Sequence, residues 1–136
     1  KSEFQFYFDH PFSPVNTLDK TFYKNFKESY FEKFKKDAFI GDTVKRVKSK
    51  SIDEIFKLSK DIKSIDFLNI DVEGMDLKIL SQLIPGKIKP QLISIETHDP
   101  NNVQLRDCYK INDTMKANKY SVFKRVGPST LFNLSD

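Results

Sequence analysis

Residues 65–83, IDFLNIDVEGMDLKILSQL, decide the fold of this chain. The stretch begins with a nearly continuous apolar run of strand length, which is typical of a parallel strand buried on both faces. Acidic side chains follow at Asp71, Glu73 and Asp76, and a helical apolar pattern then continues to Leu83. A strand that carries carboxylates to its C-terminal end, just before a helix, predicts an α/β sheet that binds a ligand beyond its strand ends.

A second apolar run, QLISIE at residues 91–96, predicts the neighbouring parallel strand, reached by a right-handed crossover through the helix. Asp71 and Glu73 lie two residues apart, as do Glu96 and His98 at the end of the second strand. Each pair points to one side of the sheet if the strand pleat continues. We therefore expect these four polar side chains at one rim of the sheet.

The first half of the chain carries patterns of alternating and helical spacing. Residues 4–8 alternate apolar and polar side chains and predict a strand, whereas residues 9–16 contain two prolines and predict a loop. Aromatic residues recur every four positions from Phe22 to Phe34 and predict an amphipathic helix that Thr17 or Asp19 caps.

Five further segments complete the predicted elements. Residues 43–50 suit a short charged edge strand, and the serine and glutamate of residues 51–54 have the spacing of a capping box that starts a helix. Residues 105–118 predict a helix with Tyr109, Ile111 and Met115 as its apolar members. Residues 120–126 and 130–134 predict two strands that form a terminal β-hairpin.

Length and composition favour a single soluble globular domain. The chain has 136 residues, of which 38% are hydrophobic and 31% charged. No apolar run reaches membrane-span length and no leader is visible, so we expect a cytoplasmic protein without a membrane partner. The single cysteine, Cys108, excludes an intrachain disulfide. Thirteen phenylalanines and no tryptophan indicate a core rich in Phe.

The charge pattern argues against a nucleic-acid partner. The net charge of +4 is modest, and the lysines of residues 24–36 are interspersed with acids, as on a solvated helix face. Neither a basic helix nor a motif of base-stacking aromatic residues accompanies the charge. As partners we expect a small-molecule acceptor and no nucleic acid, with a homo-oligomer as an open alternative.

The two strand segments resemble a known family. Residues 65–76, IDFLNIDVEGMD, and the later segment KPQLISIE at residues 89–96 are similar to the FkbM-like methyltransferases, whose signature reads roughly IDFLKIDVEGAE followed by a Lys-Pro-led strand ending in Glu. Asn69, Met75 and Asp76 depart mildly from that pattern. The resemblance extends with less specificity over residues 4–134.

The resemblance implies an α/β fold, the C-terminal part of a class I methyltransferase (Rossmann-like) sheet that ends in a β-hairpin. It also implies S-adenosylmethionine as the methyl donor, which such enzymes bind chiefly with a glycine-rich loop and an acid on earlier strands. No glycine precedes Gly41. We therefore expect residues 1–136 to be a single domain that is the C-terminal portion, or fragment, of a methyltransferase lacking that loop.

The expected activity is an O-methyltransferase that acts on a hydroxyl of a sugar or another small acceptor. We expect His98 to act as the base because its unperturbed pKa suits proton transfer at neutral pH, with Asp71 and Glu96 as orienting acids and Asp71 and Glu73 as cofactor-binding residues. In the competing interpretation, Asp71 caps the helix and Glu73 accepts backbone N–H groups around Gly74.

Two further alternatives stay open at this point. The acids and His98 could hold a divalent cation that lowers the pKa of the acceptor alcohol, but the sequence has no dedicated metal motif, so we assign no metal ligands. The chain could also be a non-catalytic binding or assembly module built on a partial methyltransferase fold. In that case another subunit would cover its sheet edge and its Phe-rich helix.

Overall fold

A computed structural model describes residues 3–8, 16–35, 43–59, 61–84, 86 and 88–135. Most of the predicted loop at residues 9–16 therefore lies outside the described residues. The chain divides into two compact units. Unit 1 contains Lys1–Lys50 with Val72–Met75, and unit 2 contains Ser51–Asp71 with Asp76–Asp136.

Unit 1 consists of a two-stranded sheet and one helix. Strand β1 (Glu3–Phe8) pairs antiparallel with β2 (Thr43–Lys48), and helix α1 (Lys20–Phe34) lies between them in the chain. The Asp19 carboxylate caps α1 by accepting hydrogen bonds from two backbone N–H groups at the start of the helix. The predicted helix is thus confirmed with Asp19 as its cap, although no residue of α1 is buried.

Unit 2 contains a four-stranded sheet in the order β3, β4, β6, β5. Strands β3 and β4 are adjacent and parallel, as the sequence predicted, while β6 pairs antiparallel with both β4 and β5. Its elements in chain order are α2 (Ile52–Leu58), β3 (Phe67–Ile70), α3 (Asp76–Leu83), β4 (Leu92–Glu96), α4 (Cys108–Ala117), β5 (Tyr120–Val126) and β6 (Ser129–Leu134).

Local sequence chemistry explains where several of these elements begin and end. The Ser51 hydroxyl accepts from the Glu54 N–H while the Glu54 carboxylate accepts from the Ser51 N–H, so the predicted capping box is formed. Strands β5 and β6 meet at a turn in which Gly127 has a φ of +58°, a backbone conformation that glycine adopts without steric cost.

The hydrophobic core of unit 2 lies between the sheet and helices α3 and α4. Its members share near-complete exclusion from solvent: Ile70, Leu80, Leu83, Ile84, Ile93, Ile95, Ile111, Met115, Tyr120 and Phe132. Strand β4, helix α3 and helix α4 each contribute two of these residues. The core therefore consists mostly of aliphatic side chains that fix β4 within the sheet.

Three expectations about burial are wrong. Phe132 is the one buried phenylalanine among those described, so the core is not rich in Phe. Phe67 is 54% exposed because β3 is an edge strand of the described sheet and is not covered on both faces. Tyr109 is 76% exposed, whereas the other two predicted apolar members of α4, Ile111 and Met115, are buried together with Cys108.

A membrane span needs about 20 consecutive apolar residues. Within the described ranges, no helix combines that length with sufficient apolar character.

Two phenylalanines on neighbouring strands provide a test of the core. Phe132→Ala should lower the free energy of unfolding by about 3–5 kcal/mol, because the side chain is 1% exposed and its removal leaves a cavity. The matched control is Phe123→Ala on β5, where the ring is 66% exposed. It should change the free energy of unfolding by about 0.5 kcal/mol or less. Urea denaturation measures both, and equal losses would contradict the assigned core.

Candidate functional site

The pairing of β3 with β4 brings acidic residues to one rim of the sheet in unit 2. Ile70 lies opposite Ile95 in the parallel register, and both side chains are buried. Asp71 directly follows β3, and Glu96 is the last residue of β4. Because the two strands run in the same direction, both carboxylates lie at their carboxyl ends, where open α/β sheets bind ligands.

Asp76 is a third acid of this rim. It is the first residue of α3, it is buried, and its charge acts on Glu96. A carboxylate in the first turn of a helix is favourably placed relative to the helix dipole. Asp76 was not among the predicted site residues. Its position at the start of the helix that follows the acidic turn is the sequence feature that could have indicated it.

The electrostatics of the rim centre on Glu96. Burial raises the pKa of the Glu96 carboxyl above its ordinary value, and the negative charges of Asp71 and Asp76 raise it further. Desolvation and two like charges thus act in the same direction. The rim retains a proton to higher pH than an isolated glutamate would, and it favours a ligand that brings positive charge or hydrogen-bond donors.

Glu73 belongs to the tight turn of unit 1. Its φ is +48° and that of Gly74 is +92°, so the strand pleat does not extend to this position. The Glu73 carbonyl accepts a hydrogen bond of 2.6 Å from the Thr17 hydroxyl. A Cβ at Gly74 would lie 3.2 Å from the Cβ of Phe22, so that glycine serves both the left-handed backbone and a close approach.

His98 is 9% exposed and is held by neutral groups. Its Nδ1 lies 2.8 Å from the Thr97 Oγ1, which in turn lies 2.6 Å from the Thr130 Oγ1. The main-chain N–H groups of Thr97 and His98 both donate to the Pro128 carbonyl. Between described residues, no hydrogen bond or ion pair joins the imidazole to Asp71 or Glu96.

The structure therefore divides the residues singled out from the sequence. It brings Asp71 and Glu96 together and adds Asp76, whereas the imidazole of His98 lies against the Thr97 hydroxyl, which in turn contacts the Thr130 hydroxyl. Neither hydroxyl was predicted from the sequence. Thr97 is adjacent to His98 in the chain, but Thr130 is 33 residues from Thr97 and no local pattern could have indicated it.

The acids of the rim do not form a metal cage. In the part of the chain that the structure describes, no group of three or more His, Cys, Asp or Glu side chains is arranged to hold a metal ion. Carboxylates accept hydrogen bonds from hydroxyl and amine groups and attract cations.

Comparison with known proteins gives one match. A family model described as "Methyltransferase FkbM domain" matches residues 5–122 of the 136 in the chain. Neither the curated proteins nor the solved structures give a significant match. The matched range includes β3, α3 and β4, and therefore the whole acidic rim.

Glu96→Gln tests the charge crowding at the rim. A carboxyl whose pKa is raised in the folded state contributes stability that is fully present below its ordinary pKa and is lost as pH rises through the folded value. The glutamine variant should therefore be more stable than the native chain at neutral pH, by less than about 1 kcal/mol because solvent screens a half-exposed group. The difference should shrink toward about pH 4.

Thermal unfolding measured from about pH 4 to pH 7 follows this difference. Asp113→Asn removes an exposed carboxylate of α4 and is the control, for which we expect no comparable gain at neutral pH. A Glu96→Gln variant that is less stable than the native chain throughout this range would contradict the crowding of Glu96 by Asp71 and Asp76.

Proposed function

The chain belongs to the FkbM methyltransferase family, and from this premise we propose that it is an S-adenosylmethionine-dependent O-methyltransferase. Its acceptor is a hydroxyl group of a sugar or another small polyol-like molecule. The observation that carries the proposal is the acidic rim, in which Asp71 and Glu96 end two adjacent parallel strands. Such a rim is where a Rossmann-like sheet of the class I type binds its ligands.

The carboxylates of the rim fit the proposed cofactor. S-adenosylmethionine supplies, when bound, an electrophilic methyl group on a positively charged sulfur, and it also carries ribose hydroxyls and an amine. We assign Asp71 to cofactor binding because its carboxylate can accept hydrogen bonds from such groups. The raised pKa of Glu96 supports this fit, since a cationic ligand would relieve the repulsion among the rim acids.

The proposed catalytic residues are His98, Asp71 and Glu96. A hydroxyl becomes a strong nucleophile when a base removes its proton in the transition state. His98 is the proposed base, acting through Nε2 because Nδ1 is already bonded to Thr97. Asp71 and Glu96 orient the reacting groups so that the acceptor oxygen is aligned for attack. Such alignment contributes a large part of the rate gain in reactions between two bound molecules.

A second candidate function is a binding or assembly module without catalysis. It is favoured by the apolar side chains that unit 2 exposes, Phe67 on the edge strand β3 and Val122, Phe123 and Val126 on β5. Exposed apolar side chains on edge strands are typical sites for another chain to pair. In this case the partner would be another subunit or a second copy of the chain.

The proposal predicts distinct effects on binding and on turnover in the full-length protein. Titration calorimetry should detect binding of S-adenosylmethionine, and Asp71→Asn should weaken it on the order of tenfold because a charged hydrogen-bond acceptor is lost. His98→Ala should lower kcat on the order of a hundredfold with nearly unchanged cofactor affinity. Glu96→Gln should lower kcat as well.

Turnover is measured by methyl transfer to a panel of monosaccharides and polyols. Asp113→Asn, on the exposed face of α4, is the control and should retain both binding and turnover. Absence of S-adenosylmethionine binding would contradict the enzyme and favour the assembly module. Full turnover in His98→Ala would contradict only the assignment of the base.

A further inference from the structure

Two buried threonine hydroxyls form a chain that ends at the imidazole of His98. The Thr130 Oγ1 lies 2.6 Å from the Thr97 Oγ1, which lies 2.8 Å from the His98 Nδ1. Thr97 is fully buried, and Thr130 and His98 are 6% and 9% exposed. Hydrogen bonds between buried polar groups of this kind have well-defined partners and restrict rotation of the side chains that make them.

We infer that Thr97 and Thr130 are positioning residues that hold His98 as the Nδ1–H tautomer, so that its Nε2 carries the lone pair that accepts a proton. This inference rests on the proposed function, in which His98 is the base. The two threonine hydroxyls then orient the imidazole, a role that was predicted from the sequence for the carboxylates of Asp71 and Glu96.

The direction of the hydrogen bonds decides which tautomer is held. A threonine hydroxyl donates one hydrogen bond, and a neutral imidazole donates from one ring nitrogen and accepts at the other. If His98 Nδ1–H donates to Thr97, the Thr97 hydroxyl donates to Thr130 and Nε2 is unprotonated. If the chain runs the other way, Nδ1 accepts, Nε2 carries the proton, and His98 cannot act as a base through Nε2.

The arrangement in which Nδ1–H donates to Thr97 also persists after proton transfer. When Nε2 takes the proton of the acceptor hydroxyl, a new N–H bond forms and the O–H bond breaks, while Nδ1–H continues to donate to Thr97. The bond to Thr97 is then charge-assisted and becomes stronger. Neither threonine hydroxyl has to reverse the direction of its hydrogen bond, so the reorganisation that accompanies proton transfer is small.

The backbone around the chain of hydroxyls is well anchored within unit 2. Thr130 lies on β6 opposite Ile95 of β4, and the N–H groups of Thr97 and His98 both donate to the Pro128 carbonyl, at 3.0 and 3.1 Å. The strand pairing that builds the acidic rim therefore also fixes the distance between the two hydroxyls. We therefore expect a change at Thr97 to act on His98 through one hydrogen bond, without movement of the sheet.

The test reads the tautomer directly from the nitrogen-15 chemical shifts of the two His98 ring nitrogens. Spectra of the full chain are recorded at increasing pH until the imidazole signals no longer change. The native chain should show Nδ1–H. Thr97→Val replaces the hydroxyl by a methyl group of similar size and should lower the ratio of Nδ1–H to Nε2–H on the order of fivefold to tenfold.

Thr97→Ser keeps the hydroxyl and is the matched control, which should preserve the native tautomer. Thr130→Val removes the second hydroxyl and should lower the same ratio by a smaller factor, so the test does not depend on one variant folding. An Nε2–H tautomer in the native chain, or an unchanged ratio in both valine variants, would overturn the inference. Binding of S-adenosylmethionine is measured separately, so failure of the proposed function is distinguished from failure of this inference.

Discussion

Parallel pairing between β3 and β4 is the constraint on which the rest of unit 2 depends. The register that places Ile70 opposite Ile95 buries both side chains and sets where each strand ends. A shift of one residue would turn the buried face of β3 toward solvent, so the hydrophobic core specifies the register strongly. Because Asp71 and Glu96 are tied to these strand ends, burial of aliphatic side chains determines the position of the acidic rim.

The rim is electrostatically unfavourable for the protein alone. Glu96 is half-buried beside two other acids, and each of these effects raises its pKa. Proteins retain such crowding mainly where a ligand or a reaction makes use of it. The dipole of α3 offsets part of the cost at Asp76, the first residue of that helix. A family whose expected cofactor carries a positively charged sulfur is consistent with a site that concentrates negative charge.

Features with short-range causes were predictable from the sequence. The Ser51–Glu54 capping box and the apolar run of β4 need only neighbouring residues, and both predictions are confirmed. The exposure of Phe67 was not predictable, because a hydrophobic pattern does not reveal that β3 lies at a sheet edge. The left-handed backbone at Glu73 was also missed, and it ends the alternation that would have placed Glu73 on the same side as Asp71.

The surroundings of His98 show most clearly which contacts sequence spacing alone does not reveal. Spacing placed His98 two residues after Glu96 and suggested a carboxylate partner, but tertiary pairing of β4 with β6 supplies the Thr97 and Thr130 hydroxyls instead. A neutral hydroxyl orients an imidazole without adding a negative charge at Nδ1. The carboxylates of the rim then remain available to a ligand, so in the proposed mechanism different residues orient the base and bind the cationic group.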